Sequence, residues 1–338
     1  MMAQRNVLLD CMRGAAIVLV VLGHAGINAP LWTFIYAFHM PLFFFISGFF
    51  CNGKRGVGDF LIKKIKTLYL PFVKYYVLFI LISRFLHQFR ITKFDYTSGI
   101  DILQAIFLAC RFRVGAMDLL GHFWFLPVLF FISVLVFLSV KLVERYSLSS
   151  AYVLIGGAIL TITGGLAIRY SLPNPYDIHR VLYFSGFYSL GWYCSARGYI
   201  VKEHGVASCR KIIVLLIFML LYASCDMGVG QNLIVRLAVA IAGICLTAEL
   251  CMLLKDSEYL KRMLSLIGKH TMPIFVWHVF LFKLTECLLA ALHVGGLDMT
   301  MGWNGCYTEK PIWLVIVYTV IGISIPMMIL KTRKRVLQ

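Results

Sequence analysis

Charge is scarce in this chain. Asp, Glu, Lys and Arg make up 14% of 338 residues, and only 15 positions are acidic. A soluble globular domain needs about 25% charged residues to cover its surface, so that class is excluded. The ten cysteines contain no C-x-x-C pair. Without it there is no sign of a structural zinc site or a disulfide framework, and most of these thiols sit in apolar stretches as small hydrophobes. Internal repeats, low-complexity tracts and long linkers are also lacking, which leaves one membrane domain over residues 1–338 as the simplest organisation.

Apolar sequence fills the space. Hydrophobic residues are 61% of the chain and the mean hydropathy is +0.85. A bilayer-spanning helix needs about 20 mostly apolar residues. Ten runs meet or approach that: 12–29, 32–51, 68–87, 121–143, 151–168, 181–196, 212–225, 233–254, 271–293 and 311–330. The expected fold is an all-α polytopic transmembrane bundle of about ten spans. The first run carries Arg13 and His24, has Asp10 just before it and is followed at once by a second, so it reads as a retained helix rather than a signal peptide. The net charge of +17 does not point to nucleic acid, because the basic residues lie between spans. Most of the 32 Lys and Arg fall on the side that holds both termini, and the positive-inside bias makes that side the cytoplasm. The stretch from Gln88 to Leu120 is polar around a short apolar piece, Ile102 to Cys110, and reads as an outer-face or re-entrant segment. Arg111 and Arg113 in it suit either acceptor contacts or lipid headgroups.

An ionisable group inside a span costs about 2.5–3.5 kcal/mol on insertion scales, so each asks for a partner or a role. Asp10 and Arg13 are three apart and share a helix face, as a cap-and-anchor pair or as site residues. His24 lies about 21 Å further along the axis, too far to touch Asp10 in a straight helix. Gly23, Ala25 and Gly26 leave space around it. After a turn at Asn28–Ala29–Pro30, His39 re-enters the membrane to a similar depth. Imidazole suits proton transfer near neutral pH, and two at one depth beside a glycine patch suggest a working site. A zinc site there needs a third ligand, which only His122 or an acidic residue offers.

Other polar positions read more plainly. Lys63, Lys64 and Lys66 form a basic cluster before Pro71, serving topology and anionic lipid or a phosphorylated ligand such as coenzyme A. His122 and Trp124 open a span as belt residues. His278 reads as core packing near the cytoplasmic end, and Lys283 and Glu286 as a neutralising pair. Arg236, Glu249 and Lys74 lack an evident local partner.

Five strings in order, LLDCMRGAAIVLVVLGHA, FHMPLFFFISGFF, KKIK before LYLP, GHFWFLPVLFF and GKHTMPIFVWH, resemble acyltransferase family 3 membrane proteins, the fucose 4-O-acetylase-like group. The similarity spans almost the whole chain, and the first 50 residues carry most of it. It implies an O-acyltransferase, most often an O-acetyltransferase, in the bacterial inner (plasma) membrane. The donor would be cytoplasmic acetyl-CoA and the acceptor a hydroxyl of a surface glycan or lipid-linked oligosaccharide. The resemblance places the essential histidine at His24, with Asp10 and Arg13 as its acidic and basic companions. It assigns acyl-CoA binding to Arg13, Lys63 and Lys66, and substrate contacts to His39, Ser47 and Trp124. No metal and no nucleic acid are implied, and membrane lipids are the remaining partner. Where the family usually has two arginines with two residues between them, this chain has Lys63 and Lys66, which keep the charge but lose the guanidinium fork. His24 then acts as general base or as transient acyl carrier. A transporter or flippase of a small polar or glycolipid substrate is the alternative class, with buried His, Glu and Lys forming a pathway.

Overall fold

The computed structural model describes residues 6–89, 102–112, 119–198, 208–224, 232–254, 257–294 and 309–336. Among these every regular element is helical: α1 Val7–Gly23, α2 Ala29–Tyr36, α3 His39–Phe49, α4 Val57–Lys64, α5 Leu70–Gln88, α6 Ile102–Cys110 and α7 Phe125–Arg145. The remainder are α8 Ala151–Arg169, α9 Ile178–Ala196, α10 Cys209–Ser224, α11 Leu233–Leu253, α12 Glu258–Lys269, α13 Thr271–Ala291 and α14 Ile312–Val336. The chain is an all-α polytopic helix bundle. Helix starts follow local chemistry. Asn6, Asn28 and Asn232 each accept a hydrogen bond from a first-turn N–H, and Pro30 sits where its missing donor costs nothing.

Among the described residues seven helices are long and apolar enough to cross a membrane: Ala29–Phe49, Val57–Gln88, Gly121–Arg145, Ala151–Arg169, Leu233–Leu253, Thr271–Ala291 and Ile312–Ile329. Of the ten expected, α1 with 17 residues and α10 with 16 fall short in length. Helix α9 has 19 residues but is diluted by His179, Arg180 and several Ser, Tyr and Gly. The outer rows of these helices are greasy, with Ile155, Ile159, Ile213, Ile217, Ile316 and Val320 all exposed, as lipid-facing surfaces are.

The structure differs from the sequence reading in three elements. The stretch after Cys51, expected as a basic loop up to Leu68, is helical from Val57. It passes through a π-helical turn, Ile65–Tyr69, into α5. The wider turn just before Pro71 accommodates a ring that would otherwise strain the preceding helix. The second span is broken at Ala37 and Phe38, so that His39 opens α3 instead of lying mid-helix. The segment 255–269, expected as a cytoplasmic basic loop, contains the amphipathic α12, which packs its full length on α1.

Helix α1 is the axis of the bundle. Leu9, Met12, Ala16, Ile17 and Val21 are at most 1% exposed, and α2, α3, α11, α12, α13 and α14 all touch it. Two contacts are glycine-dependent. A Cβ on Gly14 would collide with the Leu264 carbonyl, and one on Gly268 with the Asp10 carbonyl. Likewise Gly48 meets the Tyr188 backbone and Gly191 the Phe45 backbone, clamping α3 to α9. Aromatic pairs fix the direction of the layers. Phe44 stacks on Phe184 at 4.5 Å, while Phe60 stacks on Phe137 at 3.8 Å at the other end of α7. Arg13 lies over Phe50 and thus at the Phe60 end. Trp124, Asp177 and Arg180 mark the opposite end.

Candidate active site

One cavity of about 1510 Å³ runs between these two ends. Arg13, Lys63 and Thr67 line its first part, His24, His39, Ser47 and His122 its middle, and Trp124, Arg180 and Arg236 its far part. The sequence placed Arg13, His24, His39, Ser47, Lys63 and Trp124 together by resemblance, and all six are on this wall. Lys66 is exposed and is not among the lining residues, because it sits in the π turn on a different azimuth from Lys63. Asp10 also stays off the wall. It is 3% exposed and stands 4.0 Å from Arg13 Nη1.

The centre of the site is a group of three imidazoles. The ring of His24 lies 5.2 Å from that of His278 and 6.4 Å from that of His122, and the last two are 5.0 Å apart. His278, expected as a packing residue near the other end, is indeed fully buried, yet it also faces His24. The reason is the glycine contact between α1 and α12. Gly14 and Gly268 touch, each ten positions before its histidine, and α13 begins directly after α12, so the docking of α12 on α1 brings α13 and His278 alongside α1. His122, expected in an interfacial belt, is brought inward by the 3-10 turn Gly121–Trp124. His39 is reached through Tyr36, whose ring stands 6.2 Å from His24 and 4.7 Å from His39.

Hydrogen bonding sets the tautomers. Nδ1 of His24 is 2.9 Å from the Val20 carbonyl, and Nδ1 of His39 is 2.8 Å from that of Ile35. Nδ1 of His278 is 2.9 Å from the Phe275 carbonyl. A carbonyl can only accept, so each Nδ1 carries the proton and each Nε2 presents a lone pair. Among the described residues Nε2 of His278 and both nitrogens of His122 have no hydrogen-bond partner that meets the usual geometry. Buried orphan nitrogens beside a cavity call for a water or a ligand atom. Among the described residues no three His, Cys, Asp or Glu side chains are grouped to hold a metal ion.

Charges inside the bundle are partnered in ways that sequence spacing showed only in part. Lys283 lies 3.8 Å from Glu286, as its spacing suggested, and Glu286 also takes Lys310 at 3.4 Å and the Tyr318 hydroxyl at 2.9 Å. The backbone N–H of Lys310 donates to Gly26, so this cluster braces the turn that follows His24. Glu249 finds Lys211 at 3.6 Å and the Ser208 N–H at 3.0 Å. Arg236 lies over the Tyr183 ring and Lys74 over that of Tyr75. Part of the segment expected to touch an acceptor, 90–101 and 113–118, lies outside the described residues. Arg111 is described, with Nη2 3.3 Å from the Tyr176 hydroxyl.

Comparison with known proteins bears on the same residues. The family model described as an acyltransferase domain, Acyl_transf_3, matches residues 6–331. Nodulation protein NolL of Sinorhizobium fredii (strain NBRC 101917 / NGR234) is 26% identical over 193 residues, which is 50% of this chain and 46% of that protein. The chain therefore matches about half the length of this curated relative. No solved structure matches it. With a full-length family match and a bundle of apolar helices around a histidine-lined cavity, the chain is an integral multi-pass membrane protein that belongs to acyltransferase family 3.

Proposed function

We propose that this protein is an O-acetyltransferase of the bacterial inner membrane. It would move an acetyl group from cytoplasmic acetyl-CoA to a hydroxyl of a surface polysaccharide or its lipid-linked precursor. The observation that carries the reading is the continuity of the cavity. A cationic end at Arg13 and Lys63 leads to His24 and on to an aromatic end at Trp124. Ammonium and guanidinium groups at the first end suit the phosphates of coenzyme A, and the positive-inside bias of the basic residues that flank the spans supports a cytoplasmic position for that end. The long pantetheine arm then enters the cavity and brings the thioester to the imidazoles.

A sugar hydroxyl ionises far above neutral pH, so its proton must leave as the oxygen attacks. His24 Nε2 takes that proton while the oxygen bonds to the thioester carbonyl carbon. The orphan nitrogens support the next step. His122, neutral and on the cavity wall, has one N–H to donate to the oxyanion, and an aimed donor of this kind is worth about 2.7–4 kcal/mol. Collapse of the tetrahedral species breaks the C–S bond, and the His24 imidazolium returns the proton to the departing thiolate. Hydrogen bonding to Val20 holds the ring in the reactive tautomer throughout. Arg13 and Lys63 hold the donor, Asp10 orients Arg13, and His39, Ser47 and Trp124 face the acceptor.

The test is release of coenzyme A thiol from acetyl-CoA by purified protein supplied with candidate glycans, with mass spectrometry of the glycan. His24→Ala should abolish glycan-dependent release while the protein still inserts and binds acetyl-CoA. Undiminished acetylation by His24→Ala overturns the assignment.

A further inference from the structure

Arg236 is the fourth residue of the span Leu233–Leu253, in its first turn, and its exposed side chain lines the cavity. Among the described residues no carboxylate lies within ion-pair distance of it. Its guanidinium lies 5.7 Å from the centre of the Tyr183 ring and lines the far part of the cavity. Arg180, on the same wall, lies 4.5 Å above Trp124 and 3.0 Å from Asp177. Among the described residues two guanidinium groups stand against one carboxylate at this end, beside two aromatic rings.

We propose that this end of the cavity is an anion subsite for the acceptor. Arg236, assisted by Arg180, binds a carboxylate or phosphate carried by the acceptor. In-plane guanidinium N–H groups match carboxylate or phosphate oxygens two at a time. The subsite rests on the acyltransferase reading, and it narrows the acceptor to an acidic saccharide or a saccharide on a phosphate-bearing carrier.

The test separates the two claims by measuring binding apart from transfer. Full-length protein in zwitterionic phosphatidylcholine nanodiscs is titrated by tryptophan fluorescence with three probes: methyl β-D-glucuronide, α-D-glucose 1-phosphate and neutral methyl β-D-glucoside. At least one anionic probe should bind about tenfold more tightly than the neutral one. Preference for the glucuronide points to a carboxylate on the acceptor, and preference for the sugar phosphate to its carrier linkage. Arg236→Gln should remove the preference and Arg236→Lys keep part of it, with acetyl-CoA binding unchanged in both. Equal binding of all three probes by the unaltered protein overturns the proposal without recourse to a variant. So does an anion preference that survives Arg236→Gln. Loss of the preference in discs enriched in phosphatidylglycerol makes Arg236 a headgroup anchor and also overturns it. Thiol release is measured separately. An anion preference without thiol release leaves the subsite standing and sinks the transfer reaction.

Discussion

His24 and His278, 254 positions apart in sequence, present their rings to each other at 5.2 Å. The approach is indirect in origin. It depends on Gly14 and Gly268, whose contact one helical stretch away aligns α1 with α12 and so with the start of α13.

Gly268→Val should therefore disturb the site without touching it. The added side chain meets the Asp10 backbone, and overpacking of this kind costs about 1–3 kcal/mol. A lowered melting temperature together with a fall in acetyl transfer is expected. Transfer at the unaltered rate would show that the alignment of the two histidines does not depend on this contact.

His122 and His278 should not be equivalent to His24. On the proposed reading His24→Ala should cost about 10²–10⁴-fold in rate. His122→Phe removes a cavity-facing donor and should lower kcat with little change in the KM for acetyl-CoA. Replacing His278 by Asn keeps a buried polar group and should have the mildest effect. Single-turnover rates at saturating donor read all three, and equal losses would argue that the cluster acts as one unit.

The donor end gives a contrast between two neighbouring lysines. Lys63 lines the cavity and Lys66 does not. Losing one charge-assisted contact to phosphate costs about 1.5–3 kcal/mol, so Lys63→Ala should raise the KM for acetyl-CoA by about tenfold or more. Lys66→Ala should leave it nearly unchanged. The reverse order in steady-state kinetics would move the phosphate site to the π turn.

Glu286 carries the buried charge balance of α13. Lys283 is 3% exposed, and Lys310 shares the same carboxylate. Glu286→Gln removes the carboxylate that Lys283 and Lys310 share, and breaking a buried pair in this way costs about 3–5 kcal/mol. A drop in thermal stability is expected, partly restored by adding Lys283→Met. Unaltered stability in Glu286→Gln would mean that water reaches both lysines.

Glu258 on α12 supplies a pH test outside the spans. Hydrogen bonds from Arg262 and Lys261 hold its carboxyl below the ordinary range. A lowered folded value means that the contribution is complete at neutral pH and is lost only as pH falls through that lowered value. Glu258→Gln should be slightly less stable than wild type at neutral pH and indistinguishable from it in strong acid. The neutral-pH difference should shrink in high salt, since both partners are exposed. A difference that persists in acid would assign the effect to something other than this charge.

Sequence alone determined the membrane class, the helical fold and the family, because apolar run length and motif order are local properties of a chain. It also placed Arg13, His24, Lys63 and Trp124 on one wall through the resemblance, and it paired Lys283 with Glu286 from their spacing. Tertiary structure decided the rest. α12 is too short to span and too charged to stand out, so only its docking on α1 reveals that it sets the depth of His278. The convergence of His122, His24 and His278, and the meeting of Arg236 with Tyr183, are contacts between distant segments. Helical periodicity fixes which face a residue occupies but not which other helix that face meets. That choice belongs to the small-residue contacts that let particular backbones come close.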